Sequence, residues 1–176
     1  MTRAQPSLDL NFNDASSASR ERMPVRKIAP STRAEHLRVG VVVSRFNTDI
    51  GEALLAVALR TLEQAGVAPD AITVASVPGA LEAPLALQRM AQTGDYDALI
   101  ALGAVIRGET YHFEIVANES AAGVASVQLE FGIPVGNGIL TTDNEEQARS
   151  RIEAKGRDAT LAALEMANLL DAIDEQ

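Results

Sequence analysis

The sequence predicts an α/β protein, a three-layer sandwich with a central four-stranded parallel sheet flanked by helices. Three observations carry that reading. From Leu37 onward, four short apolar runs rich in Val, Ile and Leu alternate with helical stretches. The first and third runs are apolar at successive positions, as in strands covered on both faces. Gly or Pro-Gly marks most of the junctions between them.

Taken in order, "LRVGVVVS" (37–44) is a β-branched run and reads as the first strand. After "RFNT", Ile50, Leu54, Val57, Ala58 and Leu62 share one face of a helix that Gly66 stops. "AITVASV" (71–77) is the second strand, closed by Pro78-Gly79. In the next helix Pro84 is tolerable only in the first turn. "DALIALGAVI" (97–106) is the third strand. It leads to a helix presenting Phe113, Val116, Ala117, Val124, Val127 and Phe131, ended by Gly132. "IPVGNGIL" (133–140) is the fourth strand, and Thr142 with Glu145 then reads as a capping box. Gly156 is expected to break the following helix before a last amphipathic one that runs to about Ile173. Residues 1–36 hold Pro6, Pro24, Pro30 and "SSAS" without periodicity, and read as a flexible extension before one domain over 37–176. The extension could instead supply an extra strand to this sheet or to that of a neighbouring subunit.

Composition limits the chemistry. The 176 residues include no cysteine, which excludes disulfides, thiolate nucleophiles and Cys-ligated zinc. No apolar run reaches membrane-spanning length, and the N-terminus shows no apolar secretory core, so a cytoplasmic protein is expected. Residues 1–38 hold seven basic and four acidic side chains; with a total of −9, the rest of the chain carries −12. So acidic a body is a poor partner for nucleic acid. An anionic ligand would need a placed cation, drawn from Arg45, Arg107, Arg149, Arg151, Lys155 or Arg157.

Right-handed crossovers bring the C-terminal ends of parallel strands to one edge, where ligands bind in open α/β sheets. "SRFN", "VPGALE", "VIRGETYH" and "NGILTTD" converge there. Phe46 is one of only six aromatics, and at a strand end it serves either as packing or as a platform for a flat ring. Glu82 opens a helix, where a carboxylate suits the helix dipole as well as it suits ligand hydroxyls. "RGETYH" opens a helix whose free N–H groups can hold an anion, with the Thr110 hydroxyl beside them. His112, the only histidine of the body, falls on that first turn, and its position favours proton transfer. No second His or Cys accompanies it to form a metal site. Arg151 and Lys155 share a helix face and serve either as phosphate ligands or as a solvated face pairing with Glu145, Glu146 and Glu153. Neither the dinucleotide nor the P-loop glycine pattern occurs.

Together and in order, "RFN", "VPGALEAPLA", "DALIALGAVIRGETYHFEIVANES", "IPVGNGILTTDNEEQA" and "ALEMANL" resemble the 6,7-dimethyl-8-ribityllumazine synthases from about Val39 to Leu170. The resemblance implies a flavodoxin-like fold and no cofactor or metal. It implies a transferase that joins 5-amino-6-(D-ribitylamino)uracil to 3,4-dihydroxy-2-butanone 4-phosphate in the penultimate step of riboflavin synthesis. By position it implies Phe46, Asn47, Ala80, Leu81, Glu82, Ala104, Val105, Ile106 and Asn137 for the pyrimidine and ribityl chain. Glu109, Thr110 and Arg151 match the phosphate positions, and His112 matches the proton-transferring histidine. It further implies a pentamer, or assemblies of pentamers, with Asn137 and Arg151 reaching a neighbour's site, and it admits riboflavin synthase as a partner. Asn137 stands where many members carry an aromatic, and the segment from Arg151 to Gly156 is shorter than the common family linker. Glu109, where a small residue is frequent, is expected to point away from the phosphate.

Overall fold

A computed structural model describes residues 25–175. Four strands, β1 (Val39–Ser44), β2 (Ile72–Val77), β3 (Ala98–Ile106) and β4 (Val135–Thr142), form one parallel sheet in the order β2-β1-β3-β4. The helices are α1 (Thr48–Gln64), α2 (Ala83–Thr93), α3 (His112–Phe131), α4 (Glu145–Arg149) and α5 (Ile152–Asp174). Alternation along the strands sends Val39, Val41 and Val43 to a core shared with Ile50, Leu54 and Leu62 of α1 and Leu164 of α5. Val42, Leu99 and Ala101 face the other way, onto Leu87 of α2 and Val124 and Val127 of α3. The three layers are therefore α1/α5, sheet and α2/α3, as the sequence predicts. Truncating one of the fully buried leucines, such as Leu54 or Leu164, should cost about 2–5 kcal/mol.

Two local expectations are corrected. Gly156 does not break a helix: it lies inside α5, and the interruption falls at Ser150 and Arg151 between α4 and α5. Its reason is contact rather than conformation. A Cβ at Gly156 would come within 2.9 Å of the Val57 side chain, so glycine lets α5 close on α1. Nor does Thr142 cap the helix after β4. It is still in the strand, paired with Ile106, and its hydroxyl donates to the Asn144 carbonyl. The cap is Asn144, which accepts from the Gln147 amide at 2.9 Å, while the Gln147 side chain accepts in return from the Asp143 amide at 3.1 Å.

β2 and β4 are the edge strands, and β2, unlike β1 and β3, is not covered on both faces, because Thr73 and Val74 remain exposed. The first 24 residues of the N-terminal extension, with any strand they would add to a neighbour, lie outside the described residues. From Val25 to Arg33 the chain has no regular structure and runs along α5, where the Arg26 guanidinium donates to the Ala172 carbonyl and Asn168 Nδ2 to the Arg33 carbonyl. Ala34, fully buried, then enters the core. Among the described residues no helix is long and apolar enough to cross a membrane.

Candidate active site

The strand order reverses direction between β1 and β3, which makes the crevice beyond their C-terminal ends the switch point of the sheet. A cleft of about 530 Å³ opens there. Its geometry follows from unequal strand lengths. The pairing of β1 with β3 ends at Val43–Leu102, whereas β3 continues against β4 to Ile106. Beyond Leu102 the backbone groups of β3 that point toward β1 have no strand to meet. One of them, the Ala104 carbonyl, accepts from Asn47 Nδ2 at 3.0 Å. Alternation aims the amide and carbonyl of Ile106 the same way, into the cleft.

β1 gives way to the Phe46 platform through a turn with a special backbone. The amides of Arg45 and Phe46 donate to the Val77 and Pro78 carbonyls. Asn47 then takes the left-handed conformation (φ 59°), the only residue besides glycine to do so among those described. Asn is among the residues that tolerate it, and the turn starts α1 at once, with the Asn47 carbonyl accepting from the Ile50 and Gly51 amides. Phe46 is left 72% exposed on the cleft wall.

The opposite wall is Pro78 to Glu82. Glu82 makes no side-chain capping bond to α2, so its carboxylate is not spent on the helix it precedes. The third side is Gly108, Thr110 and the first turn of α3, which carries His112, Phe113 and Val116. Phe46, Ala80, Leu81, Glu82, Ala104, Val105, Ile106, Thr110 and His112 are thus brought together on one cleft. Asn47 supports it from behind. Glu109 is exposed and outside its lining, and with Thr110 it lies in the bend just before α3 rather than in its first turn.

Asn137 and Arg151 are not brought to this cleft within one chain. Asn137 pairs with Ala101 partway along β4, an edge strand, and its Oδ1 accepts from the Ile139 amide at 3.0 Å. Arg151, exposed at the start of α5, donates to the Gln147 carbonyl at 2.9 Å and to Ser150 Oγ at 3.3 Å. Arg151 is exposed, as the solvated-face alternative has it, but among the described residues the carboxylate pairing that alternative names is not made. Glu145 is taken by Arg149 and Glu153 by Arg60, and Arg151 has no carboxylate partner there.

Sequence reasoning missed Phe113 as a wall residue, having assigned it to the core-facing stripe of α3. Its place next to His112 on the first turn was the available signal. It also left Arg107 open as a phosphate ligand. In the structure that charge is committed. Arg107 lies over the Phe113 ring at 4.1 Å, its Nη1 donates to Glu114 and its Nε donates to Asp143 at 3.0 Å. Those bonds, the one to Glu114 foremost, raise the Arg107 pKa, and the same guanidinium holds the Glu114 carboxyl below the ordinary carboxylate range. Among the described residues no cluster of three or more His, Cys, Asp or Glu is placed to hold a metal.

A family model described as 6,7-dimethyl-8-ribityllumazine synthase matches residues 36–171. A protein of that name from Azoarcus sp. (strain BH72) is 57% identical over 137 residues, covering 78% of this chain and 88% of its own. One from Burkholderia multivorans is 52% identical over 153 residues, 87% of this chain and 89% of its own. One from Neisseria meningitidis serogroup C (strain FAM18) is 54% identical over 149 residues, 85% of this chain and 94% of its own.

Proposed function

The chain belongs to the 6,7-dimethyl-8-ribityllumazine synthase family, and from that premise we propose how the cleft divides the work of the reaction. The enzyme condenses 5-amino-6-(D-ribitylamino)uracil with 3,4-dihydroxy-2-butanone 4-phosphate to give 6,7-dimethyl-8-ribityllumazine, phosphate and water. The pyrimidine stacks on Phe46. The ribityl hydroxyls bond to Glu82 and to backbone groups of Ala80, Leu81, Ala104 and Ile106. The phosphate lies at the start of α3, against the Glu109 and Thr110 amides and the Thr110 hydroxyl.

Imine formation, phosphate loss and ring closure each move a proton, and His112 is the group on the wall suited to move it near neutral pH. The observation that carries this reading is the convergence of Phe46, Glu82, Thr110 and His112 on a single cleft from four separate segments.

The phosphate also needs a cation, and Arg107, beside the start of α3, is already bound to two carboxylates. Arg151 of a neighbouring copy supplies it, with that copy's Asn137 beside the pyrimidine. On this reading the active species is an oligomer, most simply a pentamer, whose sites are shared. We place the enzyme in the cytoplasm alongside riboflavin synthase, which consumes the lumazine. Mixing the purified protein with both substrates and following the absorbance of the lumazine tests the proposal. Product formation in step with added protein is expected, and no product above the uncatalysed background would refute it.

A further inference from the structure

We infer that Arg107 is a positioning residue for this reaction: by tying the ends of β3 and β4 to the first turn of α3, it fixes the orientation of His112. The inference rests on the reading of His112 as the proton-transferring group. Its basis is how α3 begins. The capping position is Tyr111, which makes no side-chain capping bond, and the first intrahelical bond, from the Ile115 amide to the Tyr111 carbonyl, is long at 3.4 Å. A helix start without a side-chain cap has less to hold it and frays more readily. Yet this turn carries His112.

Arg107 supplies the missing restraint from outside the cleft. Its own position is set by the sheet, because its amide donates to the Thr142 carbonyl at 2.8 Å and so continues the β3–β4 ladder by one bond. From that anchor the guanidinium reaches the two residues that follow His112, covering the face of Phe113 and donating to Glu114. Its Nε is held at the same time by Asp143, the first residue after β4. Single half-exposed ion pairs contribute little. Here one planar group makes two hydrogen bonds and one ring contact: the Glu114 bond and the Phe113 contact fall on the first turn of α3, and the Asp143 bond fixes the guanidinium to the end of β4. With two carboxylates already on it, Arg107 has no charge to offer the phosphate, so its contribution to catalysis runs through the geometry of His112.

Four forms of the full-length protein test this: wild type, Arg107→Met, His112→Ala and the double variant. Each is measured for kcat, for dissociation of the pyrimidine substrate and for its urea midpoint. Arg107→Met should lower kcat about tenfold, the scale set by a modest misplacement of a catalytic group. Pyrimidine affinity should change by less than about threefold, because Phe46 and Glu82 sit on other segments. In the His112→Ala background the same substitution should change kcat by less than about twofold, since residues acting as one unit are not additive.

An equal loss in both backgrounds, or an unchanged kcat for Arg107→Met, overturns the positioning role. Wild-type turnover in His112→Ala would instead overturn the reading of His112 itself, and the inference with it. Should Arg107→Met fail to fold, Glu114→Gln removes the charged tether from the helix side alone. It should give a smaller loss of kcat, about threefold, that again vanishes without His112.

Discussion

Replacing Phe46 with alanine should separate ligand binding from folding. The side chain is 72% exposed, so the fold loses little buried contact, and stability should stay within about 0.5 kcal/mol of wild type. The backbone that presents it is held by other groups: the bonds of the Arg45 and Phe46 backbone amides to the Val77 and Pro78 carbonyls, and that of the Asn47 side chain, through Nδ2, to the Ala104 carbonyl. None of these needs the ring. The pyrimidine, by contrast, would lose its stacking partner. Stacking of a flat heterocycle on an aromatic side chain is worth about 1–3 kcal/mol. That converts to a dissociation constant about 5- to 150-fold weaker. Phe46→Tyr keeps the π-face and should stay close to wild type.

Titration of the pyrimidine substrate by calorimetry gives the affinity, and urea unfolding at the same pH gives the stability. An affinity within twofold of wild type would remove Phe46 from the pyrimidine site. A large fall in the urea midpoint, or dissociation seen by light scattering, would mean that the ring packs against another subunit, and the stacking role would fall.

Three further outcomes are expected. His112→Ala should lower turnover about ten- to a hundredfold, the low end of acid–base contributions, with pyrimidine binding largely intact; an unchanged rate across neutral pH would refute the assignment. Arg151→Lys should raise the Michaelis constant for the butanone phosphate and leave pyrimidine dissociation little changed, because an ammonium does not reproduce the two parallel bonds of a guanidinium; equal weakening of both ligands would assign Arg151 to the subunit interface. Arg107 lowers the Glu114 pKa, so their pairing adds stability above the ordinary glutamate value of about 4.3 and loses it as pH falls through the depressed folded-state value. Urea midpoints of wild type and Glu114→Gln should therefore differ at neutral pH and converge in acid, and a gap that persists at low pH would rule that linkage out.

Whatever depends on local pattern was legible in the sequence. β1 and β3 are long apolar runs buried on both sides, so their composition alone marks them. The α1 face of Ile50, Leu54, Val57, Ala58 and Leu62 is buried as its spacing predicts. Phe46 stood out because aromatics are scarce. What was misread depends on contacts between distant segments. Gly156 reads as a helix breaker until α1 is laid against α5 and Val57 fills the place of its missing side chain. The cap after β4 moves from Thr142 to Asn144 because pairing with β3 holds Thr142 in the strand, which the hydroxyl pattern does not reveal. Arg107 looked like a free cation because its partner Asp143 is 36 positions away, brought near only by the β3–β4 register.

That register bears on how the enzyme handles phosphate. Outside residues 1–38 the chain carries net −12 with eight basic residues, so an approaching phosphate meets a repulsive field unless a local cation offsets it. Arg107 is the nearest candidate in the same chain, and it is occupied by Glu114 and Asp143 in holding α3. Arg149 is paired with Glu145, and Arg45 is bonded to Ser76. Arg151, like Arg45, meets only neutral groups of its own chain among the described residues, and it lies outside the cleft. On the proposed reading, an arginine with no carboxylate partner among the described residues, in one copy, and a phosphate site beside the occupied Arg107, in another, complete each other across a subunit boundary. On this reading an isolated subunit would still bind the pyrimidine, through Phe46 and Glu82, but would hold the phosphate substrate weakly. Dilution below the assembly threshold should then abolish turnover before it abolishes pyrimidine binding.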